Sequence, residues 1–261
     1  ADPEPNYIWY GARESLRNLT DIFLSSVERF GNRISIEDRT GIESRVLTYK
    51  QLGDRVRNLA YFMSVSGVKK ADRVAIILEN RHEWAEVFFA LSYIGAVSVP
   101  LDPRFSDKDV ENILSNSGAS IVFTSKEKNR SIFSQRAIFI EDIKILNLPQ
   151  EFKSVDIEEE DLIVLLYTSG TTDEPKGVML THKNLCANFN SLEKLKLFTR
   201  NDVVLSVLPL YHSYPLMTTL IVPVFSGSKI VYVPPDWPEK LADYIKENRA
   251  TIFICVPQVF H

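Results

Sequence analysis

Short apolar runs alternate with amphipathic stretches along almost the whole chain, and this rhythm constrains the fold more than any other feature. The runs RVAIIL (from Arg73), AVSVPLDP (from Ala96), SIVFTS (from Ser120), LIVLLY (from Leu162), VVLSVL (from Val203), SKIVYV (from Ser228) and TIFICV (from Thr251) are continuous and rich in β-branched residues. Strands buried on both faces read this way, whereas half-exposed strands alternate with polar residues. Helical periodicity fills the gaps. It predicts helices over Thr20 to Phe30, Tyr49 to Ser64, about Arg81 to Ile94, Asp107 to Ser115, Asn184 to Leu195 and Pro238 to Asn248, with Thr20 or Asp21 capping the first. ISIED and SRVLTY flank Thr40-Gly41 and predict a hairpin, and IFSQRAIFIEDIKI (from Ile132) predicts a further strand. The fold class implied is α/β, with sheets flanked by helices.

The acidic stretch QEFKSVDIEEED separates two such runs and places a subdomain boundary near residue 155. The organisation expected is an N-terminal arm over 1–19, a first α/β subdomain over 20–155 and the start of a second over 156–261. The chain starts at Ala1 and breaks off just after a strand, so truncation of a longer protein is expected. With 261 residues it can bury a substantial core. Its net charge of −4 supplies no basic surface, so nucleic acid is not expected as a partner. No apolar run approaches the ~18 residues of a membrane span, and the first twenty residues hold no apolar signal core. Cys186 and Cys255 stand alone in apolar surroundings, as buried thiols of a reducing compartment do; a cytoplasmic location is expected, and no metal ligand is assigned.

The segment Tyr167 to His182, YTSGTTDEPKGVMLTH, follows the buried run LIVLLY directly. Thr168, Ser169, Thr171 and Thr172 supply hydroxyls, Gly170 and Gly177 backbone access, and Lys176 a point charge. Such a loop can turn N–H groups and hydroxyls toward phosphate oxygens. A Ser/Thr-rich surface turn has a similar composition. The spacing from Gly170 to Lys176 matches the P-loop pattern, but Pro175 stands at its second glycine and Gly177 at the Ser/Thr that would hold magnesium, so P-loop chemistry is not supported.

The whole string resembles the signature of the adenylate-forming superfamily, Tyr-Thr-Ser-Gly-Thr-Thr-Gly-x-Pro-Lys-Gly-Val, with Asp173 as the departure. LTYKQL (from Leu47), YIGAVSVPLDP (from Tyr93) and LPLYHSYPLM (from Leu208) resemble further motifs of that family, in the same order. The resemblance spans nearly all of residues 20 to 261. It implies an incomplete N-terminal large domain of an acyl-CoA synthetase, closest to bacterial long-chain fatty-acid–CoA ligases. It also implies Thr168, Ser169, Gly170, Thr171, Thr172 and Lys176 as the ATP-phosphate residues, and His212 as a catalytic-site residue beside the acyl carboxylate. From its aromatic neighbours alone, His212 could equally be a packed core residue. The substrates implied are Mg-ATP, a fatty acid or other carboxylic acid, and coenzyme A. An alkyl tunnel beside Leu216, Met217, Leu220 and Val224 fits that reading, as does ordinary core.

The family's later motifs lie outside this sequence, so the fragment by itself is expected to be inactive. Asp173 is expected to weaken ATP binding through its charge and the loss of glycine's freedom. An aryl- or amino-acid adenylation domain and a non-catalytic nucleotide-binding module are the alternatives. Peripheral membrane association and oligomeric state are left open. His82 is expected on a helix surface, and His182 is expected to cap or orient the helix near Asn184.

Overall fold

The computed structural model describes residues 17–143, 152–168, 175–235 and 237–256. Its elements, in order, are α1 (Leu19–Phe30), β1 (Ile34–Asp38), β2 (Arg45–Thr48), α2 (Tyr49–Val65), β3 (Arg73–Ile77), α3 (His82–Tyr93), β4 (Val97–Pro100), α4 (Asp107–Ser117), β5 (Ile121–Thr124), β6 (Ala137–Phe139), β7 (Leu162–Thr168), β8 (Lys176–Thr181), α5 (His182–Lys194), β9 (Val203–Ser206), α6 (Ser213–Pro215), α7 (Val222–Ser226), β10 (Lys229–Tyr232), α8 (Trp237–Asn248) and β11 (Ile252–Phe253).

The strands form two sheets, ordered β11-β9-β10-β1-β2 and β6-β5-β3-β4-β7-β8. All neighbours are parallel except the β1–β2 and β7–β8 pairs. Each sheet draws strands from both sides of residue 155, so the layering does not follow the division expected from the sequence. The acidic stretch is a crossover instead, leading from β6 at one edge of the six-stranded sheet to β7 near the other.

Period-2 alternation sorts the core into layers. Val74 and Ile76 of β3 join a central cluster with Ile36 and Ile230 of the other sheet and with α1, α2 and α3. Ala75 and Ile77 point the opposite way, toward Val110 and Ile113 of α4. Leu205 and Val231 pack outward against Trp237 and Leu241 of α8. The outcome is a helix–sheet–helix–sheet–helix stack. Helix α3 lies in its middle layer and is buried on every face except at Glu83, as a helix apolar all round must be. His82, expected on a helix surface, is therefore buried, with 7% of its surface exposed.

Local chemistry sets the element ends. Asn18 caps α1 by accepting from the Asp21 N–H, in place of the expected Thr20 or Asp21. Thr48 with Gln51, and Thr181 with Asn184, form reciprocal capping boxes on α2 and α5. Gly95 closes α3 at φ +67°, and its carbonyl accepts from Ala71; a side chain there would be strained. The expected strand over 132–145 is mostly 3₁₀ helix, leaving the short β6, and its last two residues lie outside those described. The helical run 213–226 is π-wound at Leu216–Ile221, just ahead of Pro223, a residue that cannot donate a helical hydrogen bond. Leu216, Met217, Leu220 and Val224 of this run are packed into the central cluster.

Candidate active site

The register of the six-stranded sheet decides where the predicted residues meet. Val74 pairs with Ser98, and Ser98 with Val164, so the carboxyl ends of β3, β4 and β7 emerge at one edge. Ligands of parallel α/β sheets bind outside such an edge.

From β7 the chain reaches Thr168, which pairs across the hairpin with Lys176 at the start of β8. Ser169, Gly170, Thr171, Thr172 and Asp173 lie outside the described residues. Thr168 and Lys176 thus form the two-stranded stem of the predicted phosphate loop, and Lys176 is exposed. One face of the stem is locked. Tyr167 is buried and donates a hydrogen bond from its hydroxyl to Asn116 Oδ1 of α4 at 2.7 Å. Its ring lies over Gly177, where a Cβ would meet Leu165 Cδ1 at 2.8 Å and Tyr167 Cζ at 3.2 Å. Glycine at 177 therefore serves close packing within the stem, in addition to any part it has in the loop.

His212 comes to the same edge by a different route. Beyond β3, the Asn80 side chain donates to the Leu208 carbonyl at 2.8 Å and accepts from the Leu210 N–H at 3.0 Å. This amide clamp holds the turn that follows β9. Beyond β4, Arg104 makes a two-pronged contact with Asp102 and donates to the Tyr211 hydroxyl at 3.1 Å. His212 itself is exposed, with its ring against Tyr211 at a centroid separation of 4.8 Å. In this chain it lies at the surface rather than in the core.

The electrostatics follow from these contacts. Burial raises the Asp102 carboxyl, but hydrogen bonds from Arg104 outweigh it and leave the group below the usual carboxylate range. The hydrogen bond to Asp102, with the charge of that carboxylate, pushes Arg104 up. Burial, aided by Asp102, pushes the Tyr211 hydroxyl up to about 12, so at neutral pH it is a neutral donor or acceptor. The edge therefore carries the exposed Lys176, an Arg104 that projects into solvent, a neutral Tyr211 and the exposed His212. Cation charge and hydrogen-bond donors at a sheet's carboxyl edge suit an anionic ligand.

Sequence reasoning missed Asn80, Asp102 and Arg104. The signal available was their position, just after the runs RVAIIL and AVSVP, where an α/β sheet presents its site residues. His182 was also misread in part. Thr181 is the cap, while buried His182 accepts the Leu19 N–H on Nδ1 at 3.1 Å and ties α5 to α1.

A family profile described as "AMP-binding enzyme" matches residues 23–261. The chain belongs to the AMP-binding enzyme family. Among family relatives, the chain is 29% identical to 4-coumarate–CoA ligase 1 of Solanum tuberosum, over 90% of this chain and 46% of that protein. It is 31% identical to feruloyl-CoA synthase of an Amycolatopsis species, over 82% of this chain and 44% of the relative. The chain thus spans about half the length of the AMP-binding relatives it matches. A solved fatty acyl-adenylate ligase of Legionella pneumophila, in complex with acyl adenylate and pyrophosphate, superposes with a TM-score of 0.80 at 25% identity, covering 91% of this chain and 44% of the other. The o-succinylbenzoate CoA synthetase of Bacillus subtilis shares the fold, with a TM-score of 0.82 at 22% identity over 92% of this chain and 62% of that one. Among the described residues of this AMP-binding chain, no helix is long and apolar enough to cross a membrane.

Proposed function

We propose that the protein to which this chain belongs is an ATP-dependent carboxylate–CoA ligase, with fatty acids as substrates. The observation that carries this reading is the meeting of the Thr168–Lys176 stem and the Tyr211–His212 turn at one carboxyl edge. In this reading Thr168, Ser169, Gly170, Thr171, Thr172 and Lys176 hold the β- and γ-phosphates of Mg-ATP, with Mg²⁺ arriving as part of that substrate. A carboxylate oxygen attacks the α-phosphorus, the bond to the β-phosphate oxygen breaks, and pyrophosphate leaves. Lys176 and the loop's donors neutralise the charge that develops on the leaving group. His212 lies beside the acyl carboxylate and orients it. The thiol of coenzyme A then attacks the acyl carbon, and AMP departs with the electrons of the broken C–O bond.

Two points support a fatty acid. The run PLYHSYP resembles long-chain ligases, and the Legionella structure is a fatty acyl-adenylate ligase. The names of the plant and Amycolatopsis relatives favour a second reading, an aryl-acid ligase. Carboxylate-dependent exchange of pyrophosphate into ATP by the full-length protein, across fatty and aryl acids, separates the two. Exchange with fatty acids is expected; exchange with coumarate or ferulate alone would select the second reading, and exchange with no acid would overturn both. Residues 1–261 by themselves are expected to form no thioester.

A further inference from the structure

A cavity of about 840 Å³ opens beside α2, the β1–β2 connection and the first turn of α3. At its floor Asp38, the last residue of β1, meets His82 and Glu83, the first residues of α3. Asp38 is nine-tenths buried and rigidly aimed. Its Oδ1 accepts from the Thr40 N–H at 2.9 Å and the Thr40 hydroxyl at 2.6 Å, and its Oδ2 accepts from the His82 N–H at 2.8 Å. The His82 Nδ1 lies 2.7 Å from Asp38 Oδ2 and 3.0 Å from Glu83 Oε2. A ring nitrogen carries at most one proton, so Nδ1–H can point well at only one of these two oxygens. A shared cation serves both together with the nitrogen lone pair. Neighbouring donors around an ion with ~2.1 Å bonds stand roughly 3–3.5 Å apart, so these three groups, now at hydrogen-bonding separation, need to spread by only a few tenths of an ångström to take one.

The other ring nitrogen supplies the second observation. His82 Nε2 is fully enclosed and makes no hydrogen bond among the described residues. The carboxylate facing it is Glu86, with Oε1 at 3.9 Å, gripped from behind by Arg55. A ligating imidazole commonly turns its free N–H to such an outer carboxylate. Arg81 grips Glu83 through both oxygens and fixes its orientation, and a bound ion would share Oε2 with that guanidinium. Among the described residues, the ion-pair partner of Asp38 is His82 alone.

We propose that Asp38, His82 and Glu83 bind a divalent transition-metal ion, with imidazole and carboxylate donors suited to Zn²⁺ or Co²⁺ rather than to Mg²⁺ or Ca²⁺. The sequence reading assigned no metal ligand to this chain, since these residues become neighbours only when β1 packs beside α3. The site is structural: it joins the end of a strand in one sheet to the helix that follows β3 of the other, and it uses none of the residues proposed above to hold the nucleotide.

The test is Co²⁺ titration of the tag-free chain after treatment with a chelator, read by visible absorption, together with the Zn²⁺-induced change in Tm. One Co²⁺ per chain, displaced by Zn²⁺, and a Zn²⁺-dependent rise in Tm are expected. Glu83→Gln should weaken Co²⁺ binding at least ~10-fold while keeping the wild-type circular dichroism, because its side chain is partly exposed. His82→Gln should abolish binding. Should His82→Gln fail to fold, Glu83→Gln decides the matter. Absence of saturable Co²⁺ bands, undiminished bands in Glu83→Gln, or thiolate charge-transfer bands lost on Cys186→Ser or Cys255→Ser would overturn the proposal. None of these readouts involves ATP, so the result is independent of the ligase reading.

Discussion

The two strands of the β7–β8 hairpin differ sharply although they pair along most of their length. In β7, Ile163 and Val164 are fully buried and Leu166 is 5% exposed. In β8, Val178 and Met179 are 46% and 62% exposed. The pairing is antiparallel, and β8 forms the edge of its sheet. One strand anchors the loop in the core, and the other carries Lys176 into solvent. A hairpin proposed to hold a ligand needs one fixed leg, and here a single hydrophobic strand supplies it.

The largest expected break in this asymmetry is Ile163→Ala. Truncating a buried isoleucine leaves a cavity and costs about 2–5 kcal/mol, whereas Met179→Ala on β8 should cost less than about 0.5 kcal/mol. Urea unfolding of both variants measures the contrast, and equal losses would refute it.

The anchor at the far end of the hairpin is expected to be pH-sensitive. Burial drives the His182 imidazole down to about 4, against a small opposing pull from Asp161, and Lys70 adds to the lowering. A folded-state value below the ordinary 6.5 means that the unfolded chain takes up the proton first. The stability owed to neutral His182 is complete above about pH 6.5 and is lost as pH falls toward 4, on the order of 3 kcal/mol in total. Stability measured between these limits should fall with pH, and His182→Gln should flatten that slope.

Smaller effects sharpen the picture of the stem. Gly177→Ala drives a Cβ against Leu165 and the Tyr167 ring, at a cost of about 1–3 kcal/mol, read as a lowered Tm. Tyr167→Phe removes the bond to Asn116 and should cost about 1 kcal/mol or slightly more, since the Asn116 oxygen can turn to water. Lys176→Ala should leave stability unchanged, because the side chain is exposed, while weakening Mg-ATP binding by the full-length protein. Isothermal titration calorimetry checks that separation of stability from binding.

Much of the architecture was legible as periodicity. Continuous apolar runs marked the parallel strands, and helix faces and caps marked most helices to within a residue or two. The segment after Ser131 was not legible, because its apolar residues fit a strand or a 3₁₀ turn equally well and packing against β5 settled the outcome. The stretch near residue 155 has the composition of a domain linker, yet strands from both sides of it share each sheet.

By itself, the sequence determined most of the elements and the composition of the hydroxyl-rich loop, because strand burial, helix amphipathicity and turn composition act over a few neighbouring residues. Tertiary structure alone decided which distant groups meet. Asn80 reaches residues 208 and 210, Arg104 reaches Tyr211, and Asp38 reaches His82, across separations that no local pattern encodes. Sheet order and register create those encounters, and register is set by burying both faces of two sheets at once.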